Sequence, residues 1–174
     1  MAPPNLTFHA GLRTAAATAA CVALAGCGQG ALQDRGTYAV KIAGQPFALT
    51  VSASDATRER GFGGATAIPD QGGMIFVFPD AQMRSFWMKD CLIDMDIVYC
   101  DPLGYITAIY TMTKEPPQSP DEDRVLYERR LRKYSSLAPA QYAIELRAGR
   151  AKELGLQPSQ KIELDHAALR AAVQ

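Results

Sequence analysis

Two stretches of apolar–polar alternation open the patterned part of the chain. Tyr38, Val40 and Ile42 share one face of Thr37–Ile42, and Phe47, Leu49 and Val51 share one face of the run that follows. Gly44-Gln45-Pro46 lies between them, so the pair predicts a β-hairpin. Ser54 is placed to cap a short helix through Arg60, with Gly61 to end it. The Gly-rich stretch 62–73 reads as loop. The compact apolar run Met74–Phe78 has the length of a buried strand, and Phe86–Lys89 and Asp96–Cys100 predict two more. Asp101-Pro102-Leu103-Gly104 carries turn residues, after which Tyr105–Met112 returns as a strand.

Further on, Ser119-Pro120-Asp121-Glu122 has the form of a capping box with proline at the first helical position, which predicts a helix to about Arg132. Gln141–Arg147 alternates again. Tyr142, Ile144 and Leu146 face one way, and Ala143, Glu145 and Arg147 the other. Ala151–Leu154 predicts a helical turn stopped by Gly155, and Lys161–Leu164 a last strand. The Ala-rich residues 165–174 predict a loose helical tail. Many short strands with no βαβ rhythm imply a mainly β fold with short helices, as an antiparallel β-sandwich or a partly open barrel. The length of 174 residues fits one domain, placed at 37–164.

Residues 1–26 follow a different logic. Arg13 precedes the apolar, Ala-rich Thr14–Leu24, which ends in Leu24-Ala25-Gly26-Cys27. That order fits a signal peptide. It resembles the bacterial lipobox, which implies acylation of Cys27, a lipid bilayer as partner and a tether over 27–36. Gly28 in place of Asp implies the outer membrane by the same resemblance. Two alternatives stand: ordinary cleavage after Ala23-Leu24-Ala25, leaving a secreted or periplasmic soluble protein, and a short N-terminal helix. Cys21 is a poorer lipid acceptor, because Thr18 stands where an aliphatic residue belongs.

Composition narrows the partners. Lys+Arg and Asp+Glu are 18 each, so the formal net charge is zero and no bulk positive charge recommends nucleic acid. Cys91 and Cys100 are left for the domain. An oxidising envelope would permit a disulfide between them if a turn brings them together. A metal site is not expected, since the two histidines, His9 and His166, lie far from both cysteines in the sequence. No cofactor motif is present, as Gly61–Gly64 lacks the Lys-Ser/Thr of a phosphate loop.

Met74-Ile75-Phe76-Val77-Phe78, Phe86-Trp87-Met88-Lys89, Leu92-Ile93 and Asp96-Ile97, in that order and spacing, resemble the domain of unknown function 192 family. Arg58 to Gly61, Tyr134-Ser135-Ser136 with Pro139-Ala140, and Tyr142 to Glu145 with Ala148-Gly149 agree. The resemblance spans about 40–164. It implies a mostly β, sandwich-like domain of secreted or lipid-anchored type, and it implies no activity. The chain departs from the family pattern at Phe62–Ala65, at Asp90-Cys91, at Asp94 and at Ser159-Gln160.

The candidate site residues are Arg58, Trp87, Lys89, Asp96, Tyr134 and Glu145. Trp87 and Lys89 share a strand face, so an indole beside an ammonium offers a platform for a sugar ring or an anion, or else a Trp covered by a snorkelling Lys. Asp94 and Asp96 are two apart. The family match falls on Asp96, either as half of an acid–base pair or as a structural carboxylate. Arg58 is an anion clamp or a cation at a helix C-terminus. Glu145 is a general base or a buried ion-pair partner of Arg58 or Lys89. Tyr134 and its serines offer hydroxyls, but no histidine is placed to activate a serine. Three functions follow. The leading one is a binding module for a carbohydrate, an anionic small molecule or an envelope partner. The others are a hydrolase of envelope polymers using Asp96 and Glu145, and an assembly module without a small ligand.

Overall fold

A computed structural model describes residues 31–173. The signal-peptide and lipidation expectations, Cys21 and Cys27 among them, lie outside the described residues. Among those described, no helix is long and apolar enough to cross a membrane.

The first hairpin forms as its alternation requires. β1 (Thr37–Ile42) pairs with β2 (Gln45–Ser52) in antiparallel register, Val40 opposite Phe47. α1 (Asp55–Arg60) follows, capped by Ser54, whose hydroxyl accepts from the Thr57 N–H and donates to Asp34. Ser54→Ala should therefore cost about 1 kcal/mol of stability in urea unfolding. α1 carries the chain across to β3 (Gly72–Gln82), which runs parallel to β2. This pairing departs from the expected antiparallel order. A parallel partner needs a crossover of a dozen or so residues, and α1 with its Gly-rich loop supplies it.

β4 (Ser85–Phe86), β5 (Met95–Cys100), β6 (Ile106–Met112), β7 (Tyr134–Ser135) and β8 (Ala140–Arg147) complete the strands. Six of them form a mixed sheet in the order β1-β2-β3-β8-β5-β6, and β4 pairs with β7 in a small second sheet. The fold is mainly β with short helices, and it does not close into a barrel. β5 is buried at every position, which explains its nearly unbroken apolar sequence.

Side-chain parity divides the core between the two faces of the large sheet. On one face, Leu49, Ile75, Val98, Ile144 and Leu146 pack with Ala151 of α3 (Arg150–Glu153) and Leu169 of α4 (His166–Ala171). On the other, Phe76, Ile97, Tyr99 and Ala143 pack under Met88, Tyr134 and Ile68. Cys100 belongs to the first face and Cys91 packs against the second, so the sheet stands between the two thiols and both are free.

Several local expectations are corrected. The strand expected at Phe86–Lys89 stops at Phe86, because β7 offers only two residues to pair with. The helix expected after Ser119 begins later, as α2 (Arg124–Arg130). Asp123 caps it by accepting from Val125 and Leu126 N–H, while Glu122 turns back onto Arg130 at 2.6 Å. The expected strand Lys161–Leu164 reduces to one bridge to Tyr105. There Gly104 lies so close that a Cβ would sit 2.4 Å from the Ile162 carbonyl. The C-terminal segment is not loose, since Leu169 is fully buried. The part of the expected tether that is described is fastened as well: Arg35 N–H donates to the Val51 carbonyl, and Asp34 accepts from Ala53 and Thr57.

Candidate functional site

α1 and the loop after it lie over the second face of the sheet, beside the segment that joins β3 to β5. Between them opens a cleft of about 430 Å³. Its apolar wall is Phe62, Phe76, Phe78, Phe86 and Trp87. Its cations are Arg58, Arg60, Arg84 and Lys89, with the acids Glu59 and Glu145 and the thiol of Cys91 also in the lining. Phe86 stacks edge-on against Phe76, with ring centroids 4.8 Å apart, so the aromatic wall is fixed by the core behind it.

Glu145 sits on β8 between Met74 of β3 and Ile97 of β5. It is 5% exposed, and its Oε2 has no hydrogen-bond partner. Burial alone pushes its pKa up to about 8, so near neutral pH it is mainly a neutral carboxyl group with a proton to donate. The same burial, with the negative charges of Glu145 and Asp90, pushes the Cys91 thiol up to about 11. A thiol held that high is a poor nucleophile. Gly61 keeps space above the carboxyl open: a Cβ there would stand 3.4 Å from the Phe76 ring and 3.7 Å from Glu145 Oε2.

A second buried polar atom in the lining is also unpartnered, the Nε of Arg84. Its Nη2 donates to the Asp80 carbonyl and carboxylate, and its guanidinium lies 4.1 Å from the centroid of Phe78. Arg58 packs over the same ring at 5.4 Å and donates to the Ala53 and Val77 carbonyls. Arg58 therefore pins α1 to the sheet and borders the cleft with a guanidinium already engaged.

Trp87 is half-buried. Lys133 Nζ stands 3.2 Å from its ring centroid, and burial lowers the pKa of that lysine. Lys89, the expected neighbour, is 5.7 Å from the ring and spends its charge on Glu128 at 2.8 Å, a hydrogen bond that raises its pKa. Beyond Trp87 a second hollow, lined by Ala56, Glu59, Arg60, Gly63 and Asp90, continues the cleft.

Three of the sequence-based candidates change role. Asp96 lies on the face of β5 opposite to Glu145's, as the parity of the sheet requires. It is 1% exposed and accepts from the Thr111 hydroxyl at 2.7 Å and from the Gly149 and Ala151 N–H groups at 3.0 and 2.8 Å. The Asp96–Glu145 acid–base pair is thereby excluded, because the sheet separates its members. Asp94 does not join Asp96; it accepts from Lys114 N–H. Tyr134 is buried away from the cleft, its carbonyl accepting from the Tyr99 hydroxyl at 2.7 Å. Ser136 accepts from Arg84 N–H and donates to the Ala138 carbonyl, so it fixes the loop that presents Arg84.

Arg58, Trp87, Lys89 and Glu145 are thus brought to one cleft. Arg84, Phe76 and Phe78 also line it, and the sequence did not single them out as site residues. The phenylalanines were legible only as core. Arg84 stood in an unpatterned stretch, with nothing to mark its guanidinium as facing Glu145's side of the sheet. Among the described residues, no cluster of three His, Cys, Asp or Glu side chains is arranged to hold a metal.

Comparison with known proteins adds a family. The model of DUF192, described as an uncharacterised ACR family, matches residues 38–164. No curated protein matches the chain. Two crystal structures share the fold. One is a Sinorhizobium meliloti 1021 protein described as a candidate transcription regulator, 25% identical, covering 73% of this chain and 90% of its own, with a TM-score of 0.55. The other is a Novosphingobium aromaticivorans DSM 12444 protein of unknown function, 22% identical, covering 74% and 82%, with a TM-score of 0.59.

Proposed function

Because this chain belongs to the DUF192 family, which brings no activity with it, we propose a function from the cleft: a binding module for a small anionic molecule of carbohydrate type. One observation carries the reading. Two buried polar atoms without partners, Arg84 Nε and Glu145 Oε2, belong to residues that line the same aromatic-walled cleft. An unpaired buried polar atom costs about 1–3 kcal/mol, which a ligand can recover by pairing it. Arg84 asks for an acceptor, and the neutral Glu145 can donate to one. Arg60, which is in no ion pair among the described residues, biases the rim towards anions, and the aromatic wall suits the apolar face of a sugar ring. We place this module in the cell envelope, anchored through acylated Cys27, where labelled palmitate should be taken up and lost in Cys27→Ala.

Trp87, the chain's single tryptophan, reports on the cleft. Glucuronate is expected to change its emission saturably, and glucose to do so more weakly. Arg84→Gln should weaken glucuronate binding by about ten-fold or more, since a hydrogen bond to a charged group contributes roughly 1.5–3 kcal/mol. Emission indifferent to both sugars, together with resistance to iodide quenching, would make Trp87 a packing residue and overturn the reading.

A further inference from the structure

A second pocket, of about 210 Å³, adjoins the cleft on the far side of Gly61. Arg60 and Gly61 line both spaces, so a single turn of chain divides them. The other lining residues include Arg35, Thr50, Ser52, Thr57 and Met74. Register places Thr50, Ser52 and Met74 on the sheet face that carries Glu145: Thr50 pairs with Met74, which pairs with Glu145, and Ser52 pairs with Phe76.

Ser52 is 1% exposed and its Oγ has no hydrogen-bond partner, the same condition that marks Glu145 in the cleft. A buried hydroxyl left unpaired in a wall of a pocket is a donor waiting for an acceptor. Arg35 and Arg60 are exposed, and neither takes part in an ion pair among the described residues. Arg58 and Arg84, by contrast, are bound by acids. Asp34 is the acid next to Arg35 in the chain. It is absent from the lining, and its oxygens are taken by Ala53, Ser54 and Thr57. The pocket therefore combines two unpaired guanidiniums with one unpaired hydroxyl and has no carboxylate in its wall. Guanidinium groups suit the several oxygens of a tetrahedral oxyanion.

We propose that this pocket is an oxyanion subsite for a phosphoryl group, with Ser52 donating from the floor and Arg35 and Arg60 closing over it. The subsite stands without the cleft. The further statement that one ligand fills both, as a phosphorylated sugar reaching across Gly61, rests on the cleft being a sugar site.

The test is calorimetric titration of the full chain with inorganic phosphate, at low and at raised salt. Saturable binding that weakens with salt is expected. Ser52→Ala and Arg35→Gln should each lower the affinity about ten-fold or more. Ser52→Ala removes an atom that bonds to nothing in the free protein, so its unfolding midpoint should be unchanged or raised. Arg35→Gln alters an exposed side chain and guards against a folding artefact. Absence of phosphate binding overturns the subsite, as does binding that neither variant weakens. If phosphate fails while glucuronate still moves Trp87 emission, the subsite falls and the cleft reading stands. Glucose 6-phosphate binding more tightly than both glucose and phosphate supports the spanning ligand. Binding no tighter than phosphate overturns it and leaves two separate sites.

Discussion

Replacing Glu145 with glutamine is expected to stabilise the protein at alkaline pH and to leave it nearly unchanged in acid. The carboxyl group ordinarily releases its proton near 4.5, and in the folded chain it holds it to about 8. Between those values the native state keeps a proton that the unfolded chain has lost. Each rise in pH through this window therefore favours unfolding, by about 1.4 kcal/mol per pH unit at most. The penalty is absent below the unfolded value and complete once the pH passes the folded one. In sum it is on the order of 5 kcal/mol. Glutamine keeps the shape and cannot ionise, so the slope due to this residue disappears. Urea unfolding of both proteins at pH 4.5, 6.5, 8 and 9 checks it, because the other titrating groups cancel in the difference. A difference that does not grow with pH would mean that Glu145 is hydrated or paired in solution.

The second large effect lies on the other face of the sheet. Asp96→Ala is expected to destabilise the protein by about 2–4 kcal/mol, because it strands three donors at once, the Ala151 N–H among them fully buried. Thr111 loses the acceptor for its hydroxyl, and Gly149 and Ala151 lose the carboxylate that ties the start of α3 to β5. Asp96→Asn should fall between, since its amide nitrogen meets an N–H donor where a carboxylate oxygen accepted one. Thr111→Val should cost about 1 kcal/mol, one bond out of three. Chemical denaturation measures all of them. If Asp96→Asn unfolds like the parent protein, the carboxylate is not holding α3, and a role for it outside folding returns.

These two acids show how far the sequence reaches. Both sit in apolar strands, and both were candidates for a shared acid–base role. Alternation along each strand assigned Glu145 to the face opposite Tyr142, and the structure keeps that assignment. What alternation could not supply was the relative phase of two strands. Met95, Ile97 and Tyr99 face Glu145's side, which turns Asp96 to the other, and only the β5–β8 register decides that. Trp87 and Lys89 show the same division. A spacing of two implied a common strand side, but the strand stops at Phe86 and both reach the cleft from an irregular segment, with partners the sequence did not show. Lys89 is drawn to Glu128 and Trp87 is covered by Lys133, both from residues about forty positions away.

By itself the sequence determined the local elements: the hairpin of β1 and β2, the Ser54 cap, the buried run of β3, and the parity of β8. These rest on interactions within a few residues, where the pattern of side chains is the cause. It determined the family too, since the Phe-Trp-Met-Lys block and its neighbours match over residues 38–164. Tertiary structure alone decided the parallel joining of β2 to β3, and with it the crossover that lays α1 over the sheet. That placement makes the cleft, brings Arg84 and Glu145 into one lining, and sets Ser52 beside Arg35 and Arg60. The physical reason is that an unpaired polar atom is a property of its surroundings. Glu145, Arg84 and Ser52 look like ordinary polar residues in the chain. Burial without a partner is conferred on them only when distant segments close over them.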